Sequence, residues 1–316
     1  MRTILVALLA LIGSSHFAVA QDKIIVSGAS GQLGGLVVKD LLARRIAAKD
    51  LILVSRTPEQ LEEYAERGAS VRYGDFTKPE SLKAAYAGGT RMLLISINGG
   101  SGQRPALHKA AIDAAVAAGV KHIVYTSYVN ADRYTTSMLA VDHRRTERFL
   151  QESGVAWTLL RNQIYANDLV DQAVQIIRDG KLVSSTPDAR VAYVTREDCA
   201  AAAAAVLAMP SGRENRAFNI TGPEAVGPRD LAVLASEISG KRVELVVLDD
   251  DGYRAYLRES GMPDPAINGT LSFAKELDSP YLREPSTAVA ELTGRPPTSV
   301  RALLLGSAAR LRAAAE

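Results

Sequence analysis

Two hydrophobic periods alternate along this chain. Short unbroken apolar runs recur, and most are followed by stretches whose apolar residues return every third or fourth position. The first pattern reads as strands buried on both faces, the second as helices that cover them. Strands are predicted at residues 23–27, 51–55, 70–73, 91–96, 122–127 and 156–160, and helices at 36–42, 79–86, 105–118 and 138–153. Six strands with connecting helices in about 140 residues is the size of a doubly wound, parallel α/β sheet. Past Arg161 the pattern loosens. Residues 191–194, 217–220 and 243–247 read as short strands, Thr195 caps an alanine-rich helix, and a further helix spans 228–239. Glycine and proline breaks then separate mostly helical segments. We expect residues 21–165 to form the core and 166–316 a small C-terminal lobe, built onto the sheet's edge and intertwined with the core.

The first predicted strand runs into Gly28-Ala29-Ser30-Gly31-Gln32-Leu33-Gly34, and a helix follows. A strand, a glycine-rich turn and a helix start together suit a pyrophosphate. The glycines let the backbone come close, and the free N–H groups of the helix start favour an anion. The spacing, G-x-x-G-x-x-G, departs from the commoner G-x-G-x-x-G, so the surrounding strand and helix give the motif its weight. The second strand ends at Ser55-Arg56, and no Asp or Glu lies between Leu51 and Pro58. An acidic residue there holds a ribose hydroxyl, whereas an arginine accommodates a 2′-phosphate. The expected cofactor is therefore NADP(H), with Arg56 on its 2′-phosphate.

Composition narrows the class without changing it. The chain has 37 basic and 35 acidic residues, interspersed, for a net charge of +2. That balance gives no footprint for nucleic acid or an anionic membrane surface. Cys199 is the single cysteine, so no disulfide within the chain and no cysteine metal cluster can form. It reads as a small buried hydrophobe. Glu197 and Asp198 read as charges at a helix N-terminus and not as metal ligands.

The N-terminus follows other rules. Met1-Arg2-Thr3 is short and basic, Ile4 to Ile12 is continuously apolar, and Ala18-Val19-Ala20 precedes Gln21. These are the three parts of a secretory signal peptide, too short for a membrane span. Residues 1–20 are set outside the fold, and the mature chain is expected in the periplasm with no membrane span. If the true start lies near Val19, the chain is cytoplasmic instead.

Several segments together resemble one family. They are the glycine loop, Ser55-Arg56, Gly74-Asp75, Gly119 through Ser127, Asp142-His143 with Thr146-Glu147, Ser153-Gly154 with Thr158 through Asn162, and Ile220-Thr221-Gly222-Pro223. They are similar to the NmrA-like, atypical short-chain dehydrogenases, above all to bacterial type 2 NAD(P)H:quinone oxidoreductases and triphenylmethane reductases. The resemblance implies an NAD(P)-binding Rossmann fold with NADPH in its crevice and a C-terminal lobe over the substrate. It puts Gly28, Ala29, Ser30, Gly31, Gln32, Leu33 and Gly34 on the pyrophosphate, and Asp75 and Phe76 beside the adenine. Ser96, Ile97 and Asn98 fall on the ribose side, and Thr126 and Ser127 at the nicotinamide end. Asn162, Gln163, Ile164, Tyr165, Ala166 and Asn167 would form the substrate wall. Tyr165 would stack on a flat ring there, or else pack in the core as aromatics commonly do.

Short-chain dehydrogenases typically use Tyr-x-x-x-Lys, in which the lysine lowers the tyrosine's pKa for proton transfer. Here the lysine position falls at His143 and the tyrosine position at Leu139. The absent pair turns the expectation from alcohols toward an acceptor that is already electrophilic, for which positioning supplies most of the catalysis. His143 would take the ribose-facing place of the lysine, against the plainer reading of a helix-surface histidine. The catalytic candidates are Tyr128, His143 and Tyr165, with neither metal nor flavin. Ser127, His143 and Asp142 do not make a hydrolase triad, because no G-x-S-x-G elbow is present and the adjacent Asp142 and His143 point apart on a helix. The expected activity is NADPH-dependent reduction of a quinone or similar flat conjugated acceptor by direct hydride transfer. The alternatives are an NADP(H)-binding redox sensor of the NmrA type that catalyses nothing, and a cofactor-free exported binding protein that has kept the fold. The expected partner is a small quinone-like molecule, with a homodimer left open.

Overall fold

The computed structural model describes residues 22–97, 102–134, 137–209 and 211–316. The expected signal segment, residues 1–20, and the cofactor candidate Asn98 lie outside the described residues. The strands are β1 (Ile24–Ser27), β2 (Leu51–Ser55), β3 (Ser70–Tyr73), β4 (Arg91–Leu94), β5 (His122–Tyr128), β6 (Ala156–Asn162), β7 (Lys181–Ser184), β8 (Arg216–Ile220) and β9 (Glu244–Val247). Seven of them form one sheet in the order β3-β2-β1-β4-β5-β6-β8, with every neighbour parallel. β7 and β9 pair as a separate parallel ribbon.

The burial of β1 shows why these runs become central strands. Ile24 and Val26 face one side, against the helices Gln32–Ala43 and Arg196–Ala208. Ile25 faces the other, against side chains of Leu82–Tyr86, Arg104–Ala117 and Met138–Glu152. Successive side chains point to opposite faces, so a strand covered on both must be apolar throughout. The helix Arg196–Ala208 is buried nearly all round because its alanines let it lie closely against both the sheet and Gln32–Ala43. Cys199 sits within it, buried, and burial pushes its thiol well above the ordinary range, which makes it inert.

The doubly wound parallel sheet matches the expectation, and β2 and β3 begin and end where the pattern put them. Two differences have physical causes. Residues 191–194 form no strand: Val191 bridges antiparallel to Val226 while Val194 bridges parallel to Tyr165, so this segment crosses between layers and pairs with each only once. β7 has only four residues and begins on an exposed lysine, so it left no apolar run to read. β8 and the alanine-rich helix, from beyond residue 165, lie at the sheet's edge and on its face. No helix of the described residues is long and apolar enough to cross a membrane.

Candidate functional site

The strand order reverses between β1 and β4, and the crevice at such a switch point is where parallel α/β sheets bind ligands. Pairing of Ser27 with both Val54 and Leu94 brings the three strand ends level there. Gly28 turns the chain with φ +94°, a conformation that favours glycine, and the N–H groups of Gly28 and Ala29 both donate to the Val54 carbonyl. A Cβ on Gly34 would fall inside contact distance of the Gly28 carbonyl, so only glycine lets the helix Gln32–Ala43 start this close to β1. The helix begins at Gly31 without a side-chain cap, which leaves its first N–H groups for an anion.

A cleft of about 620 Å³ opens beside this turn. Gly28, Ser30 and Gly31 line one wall, Arg56, Asp75 and Phe76 another, and Ser96 and Ile97 a third. The structure thus gathers eight of the predicted cofactor residues around one space. Arg56 is exposed at its mouth. Beside it the hydroxyls of Ser30, Ser55 and Thr57 form a triangle, with Ser30 and Ser55 2.6 Å apart. Asp75 is held below the ordinary carboxylate range: burial alone raises it, but bonds from the Thr77 N–H and hydroxyl and the charges of Arg56 and Lys78 outweigh that. Thr126 stands behind the third wall, where its hydroxyl accepts from the Ser96 N–H at 2.8 Å.

Behind Ile97 lies a buried polar cluster. The Ile97 N–H donates to Nε2 of His108 at 3.1 Å, so the proton of that ring sits on Nδ1, within reach of Thr146 and Tyr125. The Tyr125 hydroxyl bonds Nδ1 of His143 at 2.7 Å. Burial, then the Arg104 charge, pushes His108 down to about 3 and holds His143 well below its ordinary value, so both rings are neutral. His143 is buried and not on the helix surface, and Tyr128 stacks on it at 6.1 Å between centroids. The Tyr128 hydroxyl donates to Glu276 of the C-terminal lobe at 2.8 Å.

The remaining candidates do not line the cleft with their side chains. Ser127 donates to buried Glu147 at 2.6 Å, and Arg161 grips the same carboxylate with two nitrogens. Gln163 is buried, with its amide spent on the Leu282 carbonyl and the Ile164 N–H. Ala166 lies in the lobe's core, Leu33 in the sheet's core, and Ala29 is fully buried, while Gln32 is exposed. Asn167 bonds Glu197 and the Arg196 N–H. Tyr165 packs against the sheet's core, and the Arg196 guanidinium covers one of its ring faces at 4.6 Å. Asn162 is buried with an Oδ1 that has no partner, at the end of β6 opposite Tyr128.

The family model described as NAD(P)H-binding matches residues 28–210, which spans the turn, the cleft and the buried cluster. The chain belongs to the NAD(P)H-binding family. It is 33% identical over 277 residues to quinone oxidoreductase 2 of Escherichia coli, covering 88% of this chain and 96% of that one. It is 27% identical over 273 residues to the NAD(P)H azoreductase of Xenophilus azovorans, covering 86% and 93%. The structure of the Escherichia coli NADPH-dependent quinone oxidoreductase complexed with NADPH matches with a TM-score of 0.82 at 32% identity, covering 91% of this chain and 99% of that chain. The Citrobacter sp. triphenylmethane reductase complexed with NADP(H) matches with a TM-score of 0.81 at 31% identity, covering 90% and 99%. The NmrA transcriptional regulator, 17% identical with a TM-score of 0.68, shares the fold alone. This member of the NAD(P)H-binding family is an oxidoreductase.

The residues present fit the dinucleotide of that family. The cradle at Gly28 and Gly34 excludes a side chain, the first N–H groups of the helix face an anion's place, and among the described residues the charged side chains lining the cleft are Arg56 and Asp75. Sequence reasoning missed Thr57, Thr77, Gln103 and Leu107, which also line the cleft. Thr57 follows Arg56 directly and was within reach of the β2 argument. His108 and Tyr125 carried no signal, since one lies on a helix and the other mid-strand and only the fold brings them together.

Proposed function

We propose that this chain reduces a quinone, or a similarly flat conjugated acceptor, with NADPH by direct hydride transfer. The observation that carries the reading is the state of Leu139 and His143. Leu139 packs among Tyr128, Val129 and Tyr134, and His143 is buried and neutral, so the place of the usual tyrosine–lysine pair holds no acid to match a developing alkoxide. A ketone needs such an acid, whereas the oxygen of a reduced quinone takes its proton from water. When bound, the dinucleotide supplies the hydride. Arg56 with the Ser30 and Thr57 hydroxyls would hold a 2′-phosphate, which favours NADPH over NADH. Thr126 and His108 fix the backbone of Ser96 and Ile97, and so the shape of the wall along which the cofactor lies. The relatives' activities support the same chemistry.

The purified protein, titrated with NADPH and NADH by cofactor fluorescence and then given 1,4-benzoquinone, should bind NADPH more tightly and consume it. Tight NADPH binding without turnover on any quinone or dye would overturn this reading in favour of a sensor. Binding of neither dinucleotide would overturn both.

A further inference from the structure

We propose that a second cavity, inside the C-terminal lobe, selects the acceptor by taking the outer ring of a two-ring quinone that carries an oxygen substituent. The proposal rests on the reductase reading above and adds the substrate class. The cavity has a volume of about 110 Å³ and lies between the helix Asp168–Asp179, β7 with the segment after it, and the helix Asp264–Leu277. An apolar cavity of roughly 150 Å³ holds benzene, so this space is of the order of a single ring and no larger. Leu169, Val191, Leu231 and Leu277 supply apolar walls, and Tyr193 and Tyr253 supply aromatic ones. Ser185 also lines it, and its hydroxyl is buried with no hydrogen-bond partner. The adjacent Ser184 hydroxyl, by contrast, accepts from the Thr186 N–H. A buried hydroxyl without a partner carries a desolvation penalty that an oxygen on a bound ring removes.

The cavity shares two of its walls with the packing at the end of β5. Tyr193 and Leu277 line it and also pack on the cluster of Tyr128, Val129 and Leu282. Glu276, next to Leu277, accepts from Tyr128 at 2.8 Å and from Ser137 at 2.6 Å. One helix therefore walls the cavity and is pinned to the end of β5. In this proposal a quinone ring bound at that end would extend its fused second ring toward the cavity, where Ser185 would donate to its oxygen.

The test compares 1,4-benzoquinone, 1,4-naphthoquinone and 5-hydroxy-1,4-naphthoquinone as acceptors, with NADPH, for the wild type, Ala274→Phe and Ser185→Ala. Filling the cavity with Ala274→Phe should raise KM about tenfold or more for both naphthoquinones, while KM for benzoquinone and the NADPH dissociation constant stay within about twofold. Ser185→Ala should raise KM about fivefold for the hydroxylated acceptor alone, the scale of one lost hydrogen bond. Because it removes a single atom, Ser185→Ala also guards against a misfolded Ala274→Phe. Equal changes for all three acceptors, or none for any, would overturn the pocket while leaving the reductase intact. Should no acceptor be turned over, the reductase reading falls, and calorimetric binding of 1-naphthol decides the cavity separately. Binding to the wild type and not to Ala274→Phe upholds it, and equal binding or none overturns it.

Discussion

The cleft between β1 and β4 and the polar cluster behind the end of β5 are built from the same kinds of group, and they leave them in opposite states. In the cleft Arg56 is exposed and the first turn of the helix Gln32–Ala43 has no side-chain cap. Behind β5, His108, Tyr125, His143 and Thr146 bond one another, and Ser127, Glu147 and Arg161 form a second set. Polar groups that satisfy each other inside a protein hold its shape, whereas those left facing a cleft are available to a ligand. The difference teaches that residue type alone did not separate binding from support here; the neighbours did.

The strongest way to break this contrast is Glu147→Ala. Its carboxylate accepts from the Ser127 hydroxyl and from two Arg161 nitrogens, and Arg161 is itself nearly buried. Removing one partner of a buried pair costs about 3–5 kcal/mol. Asp132 still pairs with Arg161 at 2.8 Å, so the lower end is expected. Denaturant midpoints should fall accordingly, with the NADPH affinity of the folded fraction unchanged. A loss of affinity at constant stability would move this set into the binding machinery.

Acid should act on the same region. Burial first, and then the Arg104 charge, holds His108 at about 3 and His143 well below its ordinary value. In the unfolded chain both titrate near 6.5. Below that pH the unfolded state binds protons that the folded state refuses. The stability is therefore complete well above pH ~6.5 and is lost as pH falls below it, by about 1.4 kcal/mol per unit for each histidine, down to about 3 for His108. Urea midpoints at pH 7.5, 6.5 and 5.5 should drop mainly over the last interval, and His143→Phe should make that drop shallower. A midpoint that holds steady to pH 5.5 would show that the rings are not buried neutral.

In the cleft the expectation reverses. Arg56→Ala should leave the denaturation midpoint unchanged and weaken NADPH binding by about 1–3 kcal/mol, the scale of one charge-assisted contact. NADH binding should barely move. Equal losses for the two dinucleotides would remove Arg56 from the 2′-phosphate.

How much of each region was legible follows from distance along the chain. The turn, its helix and Arg56 were legible because local geometry carries them: a strand end, a glycine that must turn at φ +94°, and a glycine that admits no Cβ. The sheet was legible because strands covered on both faces have to be apolar. The buried cluster was not. His143 was singled out by register with a missing lysine, but its burial depends on Tyr125 and Tyr128 from β5, and the Tyr128–Glu276 bond joins residues 148 apart. β7 and the cavity beside it were hidden for the same reason, since four residues with an exposed lysine make no pattern until β9 lies next to them.

Tyr128 stands at the border of the two regions, and its variant gives the smallest and most discriminating effect. It lies at the end of β5 as a candidate proton donor, yet its hydroxyl already donates to Glu276 at 2.8 Å. Burial first, then the Glu276 charge, raises its pKa well above the ordinary value, so the proton is held and not offered. Tyr128→Phe removes one hydrogen bond while Ser137 still serves the same carboxylate oxygen, so stability should fall by only about 1 kcal/mol. If water protonates the reduced acceptor, kcat with 1,4-benzoquinone should change less than about tenfold, or ~1.4 kcal/mol of barrier. A hundredfold loss in kcat with KM unchanged would make Tyr128 the acid after all, and would place the border between binding and support one residue further into the cluster.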